Sequence, residues 1–481
     1  MEELSKEVTE NMEIDDGKKA GSSTAAATTT TAAAKSSAPD INNMTAEQLK
    51  AYIVQKQREE YLAKLAKKQA KLGDKSHKFW NTQPVDQTKS IMKEVDGNEK
   101  ESADSSKAPS EEEAPIVSRP LDPNTDIAKV KQEPYAMPAG YEWCELDMQN
   151  EDDVSALYKL LSANYVEDDD ATFRFDYSAD FLQWALTVPG YRKDWHVGVR
   201  VKKTGKLMAS ITAIPANIQV RDHTLESVEI NFLCVHKKLR DKRLAPVLIK
   251  EVTRRVNLTG RWQAAYTAGV VIPSPIARTQ YFHRNLQVRK LCDIGFSAVP
   301  KGKRLEDHVK ELNIPTAPTQ GMRPMEAKDV LQVTTLLNTY LEGQAKLHQV
   351  FEEAEVAHLM LPRPGVLESY VKEDSDGKIT DFGSYYHLPS SVMKHPTHKK
   401  LNAVYAYYNV ATTMTMTELV SDLLILAKNN GTDVFNSLNV MQNGEFFEEL
   451  QFGPGDGFLQ YYIYNWTTKS IKASEVGLVL T

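Results

Sequence analysis

A buried strand, a cationic loop and the start of a helix follow one another in the middle of this sequence. Residues 228–235 are almost wholly apolar, which predicts an interior strand. Residues 236–243 then carry five lysines and arginines, and Pro246 suits the first turn of a helix. Because free N–H groups and the positive dipole end face a ligand there, we expect an anion site. The alternative is a solvated basic turn.

An acidic and aromatic segment offers a second kind of chemistry. Four consecutive carboxylates occupy 167–170, and Phe173, Phe175 and Tyr177 follow closely. Like charges so close together repel, so a cationic ligand would relieve the repulsion. The segment therefore predicts an aromatic groove beside an acidic patch, with a solvated acidic loop as the alternative.

Two apolar segments stand out from their polar surroundings. Phe79 and Trp80 lie in an aromatic island at 78–85, which predicts either a packing anchor or a lid over a ligand. Residues 476–481 are almost wholly apolar, so we expect this tail to enter the core rather than float in solvent. Whether it does more than pack is left open by its composition.

The elements that must position these residues alternate between strands and helices from about residue 133 onward. This alternation predicts an α/β (α+β layered) fold. Similar helical patterns at 153–165 and 329–340 indicate two related halves. The predicted organisation is a disordered tail at 1–44, a basic helical segment at 45–77, a lid or anchor segment at 78–85, a polar linker at 86–131, and halves at 132–318 and 319–481.

Composition excludes several classes of protein. The 481 residues carry a net charge of −7, which does not indicate a DNA-binding protein. Three cysteines without CxxC spacing predict neither a disulfide framework nor a zinc site. The sequence lacks a long apolar run, and its acidic start predicts no secretory signal. We expect a cytoplasmic globular protein.

The basic segment at 45–77 begins with a capping-box pattern, Thr45 and Gln48, and is rich in lysine. Such a helix is suited to an anionic partner, either ribosomal RNA or a membrane surface. A solvated charged helix is the alternative.

Several motifs together resemble one family. They are Glu-Ile-Asn-Phe-Leu-Cys-Val-His-Lys at 229–237, Phe-Gly-Pro-Gly-Asp-Gly at 452–457, and matching stretches at 78–85, 214–217, 266–271, 395–399 and 476–481. This chain resembles the eukaryotic protein N-myristoyltransferases (glycylpeptide N-tetradecanoyltransferases) over about 78–85 and 132–481. Three features depart from the family pattern, namely the long polar stretch at 86–131, Asp241 and Gln451.

The resemblance implies two tandem acetyltransferase-like (GNAT) halves that form one pseudo-symmetric catalytic unit. It also implies transfer of a tetradecanoyl group from myristoyl-CoA to an N-terminal glycine, by direct attack on the thioester. The oxyanion donors would be the backbone amides of Phe232 and Leu233, which requires a bulge in their strand. The general base would be the α-carboxylate of Thr481, and Asn231 and Thr267 would orient the amine.

Residue type alone offers rival groups. His236 or His283 is an alternative base, although His236 lies among cations and His283 resembles a contact to the peptide. Cys234 suggests an acyl-enzyme, but its apolar neighbours disfavour a thiolate. Direct transfer is therefore favoured.

The resemblance also assigns binding residues, with no metal and no prosthetic group. The myristoyl-CoA set is Lys78, Phe79, Trp80, Phe232, Leu233, Cys234, Val235, Asp241, Arg243, Leu244 and Ala245. The peptide set is Tyr165, Asp168, Asp169, Asp170, Phe173, Phe175, Tyr177, Tyr281, His283, Ser390, Tyr405, Asp456, Gly457 and Leu459.

Expected partners are proteins with an N-terminal glycine, with ribosome or peripheral membrane association through 45–77, and the chain is expected to be a monomer. Two other functions are considered. A short-chain N-acetyltransferase of the same fold would have a small acyl pocket and no role for Thr481. A non-catalytic acyl-CoA-binding protein would bind without turnover.

Overall fold

The computed structural model describes residues 78–86, 117–167 and 171–481. Phe79–Thr481 form one compact unit, and only Lys78, which is exposed, is described from the preceding unit Met1–Lys78. The predicted tail at 1–44 and basic segment at 45–77 lie outside the described residues. So do Asp168, Asp169 and Asp170 of the predicted acidic patch.

Eight α-helices occur in the described ranges, and none of them is long and apolar enough to cross a membrane. The two helices of the predicted repeat are present. Asn150 caps the first of them, because its side chain accepts from the amides of Asp152 and Asp153. The helices are α1 (Glu151–Asn164), α2 (Ala179–Leu186), α3 (Leu244–Asn257), α4 (Val288–Asp293), α5 (Leu305–Glu311), α6 (Val330–Gln344), α7 (Glu353–Leu359) and α8 (Met416–Asn429).

Strands alternate with these helices along the chain. In order they are β1 (Tyr141–Glu145), β2 (Phe173–Phe175), β3 (Val197–Val201), β4 (Leu207–Val220), β5 (His223–Val235), β6 (Ala264–Ala268), β7 (Ala277–Asn285), β8 (Arg323–Pro324), β9 (Leu347–Gln349), β10 (Leu367–Glu373), β11 (Ile379–His387), β12 (Ser390–Val392), β13 (Lys400–Leu401), β14 (Ala403–Val410), β15 (Val434–Leu438), β16 (Gly453–Tyr464) and β17 (Val476–Gly477).

One large sheet runs through both predicted halves. Its order is β1-β3-β4-β5-β6-β16-β7-β15-β14-β11-β10-β8, with β9 attached to β4 and β17 attached to β9. β16 lies between β6 and β7, so a strand from the C-terminal half completes the N-terminal half. A second sheet has the order β13-β12-β2. The predicted mixed α/β fold is confirmed, while the boundary near residue 318 stays a prediction.

The largest core cluster draws on distant parts of the chain. It contains Leu161 of α1, Phe232 of β5, Leu337 of α6 and Leu478 of the tail, all at most 1% exposed. Since apolar burial is the main stabilising contribution to folding, this cluster holds the tail against both halves. The prediction that the tail enters the core is confirmed.

Candidate active site

A β-bulge interrupts the pairing of β4 with β5. Ser210 faces Cys234 and Thr212 faces Asn231, so two residues of β5, at 232 and 233, oppose one residue of β4. Phe232 has a φ of 50°, in the left-handed region that residues with a Cβ rarely adopt. The bulge that the oxyanion prediction requires is therefore present.

Asn231 connects this bulge to the C-terminus. Its Oδ1 accepts from the Phe232 amide at 2.8 Å, and its Nδ2 donates to the terminal oxygen of Thr481. One side chain thus joins a predicted oxyanion residue to the predicted base, which lie about 250 positions apart.

The tail reaches Asn231 through a buried path. Val479 is 6% exposed, and its amide donates to the hydroxyl of Tyr408 at 3.2 Å. A Cβ at Gly477 would lie 2.6 Å from Leu341 Cδ2, so the close packing of β17 requires glycine there. These contacts hold Thr481 in a half-buried position.

β5 and β6 separate beside the bulge. They run parallel, but their pairing ends at Glu229 and Ala265, although both strands continue. Asn231 and Thr267 each lie two residues further along, where β6 keeps only its pairing with β16 on the opposite edge, Thr267 facing Tyr461. The two polar residues therefore flank an opening in the sheet.

Two buried carboxyl groups share a cavity with Thr481. Its lining includes Glu229, Glu355, Tyr407 and Thr481. Burial raises the pKa of Glu229 to about 8, although a hydrogen bond with Asn231 opposes the shift. Burial also raises the pKa of Glu355. Near neutral pH Glu229 is thus mostly uncharged, which limits the negative charge around the terminal carboxylate.

The predicted anion site has the expected strand, loop and helix. A 3-10 turn spans Lys237–Lys242, and Arg243 has a left-handed φ of 52°. Helix α3 begins at Leu244, two residues before the predicted start, and Pro246 lies in its first turn. Among the described side chains none accepts a capping hydrogen bond from the first turn of this helix.

Contacts with the acidic segment hold the cationic loop. Lys237 forms an ion pair with Glu167 at 2.5 Å, and Arg174 bonds the same carboxylate at 2.7 Å. Arg240 donates to the carbonyl of Asn164. Lys237 and Arg174 lower the pKa of Glu167, which keeps the carboxylate ionised. One member of the acidic run is therefore neutralised internally.

The rest of the loop faces solvent. Asp241 and Arg243 are exposed, whereas Leu244 and Ala245 are partly buried in the first turn of α3. Val235, which ends β5, is also partly buried.

The environments of Cys234 and His236 argue against chemical roles. Burial raises the pKa of the Cys234 thiol to about 12, so the thiolate is scarce near neutral pH. His236 Nδ1 accepts from the Lys238 amide at 3.2 Å, which makes this imidazole a cap for the 3-10 turn. Burial and neighbouring cations lower the pKa of His236.

The aromatic island docks on β6 and β16. Trp80 stacks on Tyr266 with ring centroids 6.0 Å apart, and Tyr266 stacks on Tyr462 at 5.0 Å. The Tyr464 hydroxyl donates to Gln83 Oε1 at 3.0 Å. Phe79 packs edge-on against Trp80 at 5.2 Å.

The end of the predicted polar linker reaches the same region. Arg119 forms a backbone bridge with Thr467, and Trp466 Nε1 donates to the Ser118 hydroxyl at 3.0 Å. Ser118 and Arg119 of the predicted linker are therefore held against the segment that follows β16.

Aromatic rings from both halves meet beside the bulge. Tyr177 contacts Phe232 at a centroid distance of 5.1 Å and Tyr165 at 5.7 Å. Tyr405 lies 6.4 Å from Phe175 and 6.0 Å from Tyr281. These rings form one aromatic cluster beside the bulge. Their role in a peptide groove stays a prediction.

The small sheet β13-β12-β2 brings further residues of the predicted peptide set next to this aromatic cluster. Ser390 of β12 faces Phe175 of β2, and Val392 faces Phe173. Phe173 contacts Phe296 at 5.8 Å.

The glycine-rich motif forms a second bulge. Between Pro454 and Phe458, three residues of β16 oppose a single residue of β7, Tyr281. A Cβ at Gly455 would lie 2.1 Å from His283 Nε2, and one at Gly457 would lie 3.3 Å from a Tyr281 ring carbon. Glycines allow this close approach to the aromatic groove.

The imidazole of His283 is held by the side-chain amide of Asn436. Its Nδ1 lies 2.6 Å from Asn436 Oδ1. Burial lowers the pKa of His283, while the Asn436 contact and the charge of Asp456 act in the opposite direction. Leu459 follows in β16, where it faces Thr279.

Sequence reasoning missed several groups that the structure places at the site. Ser210 and Thr212 of β4 lie behind the bulge, and their alternation on one strand face was the available signal. Glu229 was visible as a carboxyl group in an apolar strand. Nothing local to Glu355 indicated that it would share a cavity with Thr481.

The sequence matches known proteins along most of its length. The sequence matches the family described as "Myristoyl-CoA:protein N-myristoyltransferase", its N-terminal domain over residues 120–279 and its C-terminal domain over 293–479. Glycylpeptide N-tetradecanoyltransferase 1 of Arabidopsis thaliana is 49% identical over 409 residues, which are 84% of this chain and 89% of the relative. Glycylpeptide N-tetradecanoyltransferase 2 of Bos taurus is 48% identical over 405 residues, 84% of this chain and 76% of the relative.

Solved structures show the same fold. The crystal structure of Saccharomyces cerevisiae N-myristoyltransferase with bound myristoyl-CoA superimposes with a TM-score of 0.76 at 38% identity, covering 85% of this chain and 100% of the yeast chain. Both family domains thus match along most of the sequence, and their fold is the one described above. The chain belongs to the myristoyl-CoA:protein N-myristoyltransferase family.

Proposed function

We propose that this chain transfers the tetradecanoyl group of myristoyl-CoA to the N-terminal glycine amine of proteins. The observation that carries the proposal is the link through Asn231, which joins the Phe232 amide at the bulge to the terminal oxygen of Thr481. The Asn231 side chain thereby connects the backbone amide that would stabilise the oxyanion with the carboxylate that would act as the base.

The α-carboxylate of Thr481 serves as the general base. The N-terminal ammonium of the substrate, with a pKa of about 7.7–8.0, must lose a proton before it can attack. The α-carboxyl group that takes this proton ordinarily has a pKa near 3.5. In water this transfer costs about 6 kcal/mol. Burial disfavours both charged groups, so it lowers the pKa of the ammonium, raises the pKa of the carboxyl group and reduces the difference between them. The half-buried position of Thr481 and the mostly uncharged Glu229 support this role.

The deprotonated amine attacks the thioester carbonyl carbon directly. The new C–N bond forms as the carbonyl electrons move to oxygen, where the Leu233 amide stabilises the charge. The Phe232 amide, which donates to Asn231 Oδ1 before substrate arrives, joins it by exchanging that acceptor for the oxyanion. The C–S bond then breaks, and the leaving thiolate takes the second amine proton to give the amide and free coenzyme A. The raised pKa of Cys234 supports this route over an acyl-enzyme.

The cationic loop and the first turn of α3 hold the pyrophosphate of myristoyl-CoA. The support is the uncapped helix start at Leu244 and the exposed Arg243 beside it. Asp241 is exposed, so its carboxylate has room to turn away from the phosphates. Trp80, which stacks on Tyr266, contributes to the binding of myristoyl-CoA as well.

The substrate peptide lies in the aromatic groove. Tyr165, Tyr177, Tyr281 and Tyr405 provide its apolar surface, and the bulge at 455–457 brings Asp456 and Gly457 to its edge. A basic residue downstream of the substrate glycine suits the acidic run, of which Asp168, Asp169 and Asp170 lie outside the described residues.

One assay separates this function from a short-chain acetyltransferase and from a non-catalytic binder. The chain is mixed with tetradecanoyl-CoA or acetyl-CoA and a glycine-initiated peptide, and the peptide mass is measured. Gain of the long acyl group supports the proposal. Gain of acetyl alone supports the acetyltransferase, and an unchanged mass supports the binder.

Docking on a ribosome or a membrane surface through 45–77 is a separate proposal that rests on sequence alone. Deleting residues 1–75 is expected to reduce co-sedimentation with ribosomes or anionic vesicles while peptide turnover persists. Unchanged sedimentation with both would reject it.

A further inference from the structure

Two hydroxyl groups lie directly behind the bulge. Ser210 Oγ donates to the carbonyl of Phe232 at 2.9 Å, and Thr212 Oγ1 donates to the carbonyl of Asn231 at 2.9 Å. Both residues belong to β4, and both are 0% exposed. The hydroxyls therefore meet their carbonyls away from competing water.

Peptide geometry connects these carbonyls to the amides of the site. In a trans peptide the C=O and the next N–H lie in one plane and point in opposite directions. The Asn231 carbonyl shares a peptide unit with the Phe232 amide, and the Phe232 carbonyl shares one with the Leu233 amide. Each hydroxyl therefore holds, from behind, the peptide unit that carries one proposed oxyanion donor.

The bulge creates the need for such support. An extra residue disrupts the regular ladder, and a buried carbonyl that loses its ladder partner needs another donor. Phe232 also has a strained φ of 50°, which the surrounding contacts must maintain.

Resting on the function proposed above, we propose that Ser210 and Thr212 are positioning residues. The Ser210 hydroxyl aims the Leu233 amide at the thioester oxygen, and the Thr212 hydroxyl fixes the peptide unit of the Phe232 amide, which Asn231 Oδ1 holds until the oxyanion replaces it. Catalysis by preorganised donors depends on their direction before the charge develops. Loss of either hydroxyl therefore slows the chemical step while leaving acyl-CoA binding largely unchanged.

The same strand pair supplies a matched control. Ser227 Oγ donates to the Ala216 carbonyl at 3.1 Å, and Ser227 is also 0% exposed. Ser227 faces Ala216 in regular register, away from the bulge. Its hydroxyl makes the same kind of hydrogen bond, but to a peptide unit that carries no proposed oxyanion donor.

The test compares Thr212→Val, Thr212→Ser, Ser210→Ala and Ser227→Ala in the full chain. Measurements are kcat, the peptide KM, the Kd for tetradecanoyl-CoA and Tm. Because the amides are misdirected rather than removed, we expect Thr212→Val and Ser210→Ala to lower kcat about 10- to 100-fold with Kd nearly unchanged. Thr212→Ser restores most of kcat, and Ser227→Ala lowers Tm without lowering kcat.

The outcomes are distinguishable. If the unaltered chain forms no acylated peptide, the proposed function fails. If it is active and folded Thr212→Val and Ser210→Ala retain kcat, only the positioning role fails. An equal loss of kcat in Ser227→Ala would also overturn it, since that loss would follow from general destabilisation. Should Thr212→Val not fold, Ser210→Ala and Ser210→Cys, which keeps the volume with a weak donor, decide the matter.

Discussion

Adding one glycine after Thr481 is expected to abolish most turnover while leaving substrate binding intact. The extension turns the terminal carboxylate into a peptide carbonyl and moves the free acid about 3.8 Å along the chain. The Thr481 oxygen can still accept from Asn231 Nδ2, but a neutral amide oxygen does not take a proton from an ammonium. The contacts of Val476 and Val479 that hold the tail remain available.

The expected loss follows from the value of a positioned base. General base catalysis contributes about 100- to 10,000-fold, so kcat should fall by that factor, or about 3 to 5 kcal/mol. Single-turnover mass spectrometry with tetradecanoyl-CoA and a glycine peptide measures the step, and titration measures the Kd for the acyl-CoA. Thr481→Ser keeps both chain length and carboxylate, so it is expected to retain near-normal kcat. An extended chain that turns over at the original rate would refute the assignment.

Three further predictions concern the rest of the site. Gly455→Ala should destabilise the fold by roughly 1–3 kcal/mol, seen as a lower Tm, since its Cβ would lie 2.1 Å from His283 Nε2. Trp80→Ala should weaken tetradecanoyl-CoA binding about 2- to 10-fold, because it removes the stacked partner of Tyr266. The contribution of Glu229 to stability should fall as pH rises from 5 to 8, because its folded pKa, about 8, exceeds the ordinary value near 4.3. Urea unfolding should show that Glu229→Gln lacks this fall, gaining up to about 1.4 kcal/mol per pH unit relative to wild type.

Each of these changes has a control. Gly457→Ala places its Cβ 3.3 Å from a Tyr281 ring carbon, a much longer approach, and should cost less stability than Gly455→Ala. Trp80→Phe keeps an aromatic ring and should preserve most of the affinity. For Glu229, stability curves of wild type and glutamine variant that stay parallel from pH 5 to 8 would contradict the buried, protonated state.

The predicted anion site shows how much of the structure a local sequence pattern can predict. An apolar run at 228–235, a cationic loop and Pro246 were enough to predict strand, loop and helix, and the structure contains all three. The helix nevertheless begins at Leu244, because Arg243 takes a left-handed conformation that no local pattern indicated. The residue type alone does not predict a positive φ for an arginine.

The bulges mark where local pattern ends. Only the family resemblance predicted an irregular strand at Phe232, since 228–235 reads as an uninterrupted buried run. The bulge opposite Tyr281 depends on two glycines in β16 meeting a strand about 175 residues earlier. Register between distant strands is set by packing across the whole sheet, so a single segment does not specify it.

Taken alone, the sequence determined the alternation of elements, the burial of the tail and the cationic loop, because apolar periodicity and charge clustering are properties of neighbouring residues. Tertiary structure alone decided which groups meet, namely Thr481 with Asn231 and the hydroxyls of β4 with the peptides of β5. It also decided that Glu355 lines the same cavity as Glu229. Those contacts join residues far apart in the chain, and they form only when the core closes and excludes the water that would otherwise satisfy each polar group.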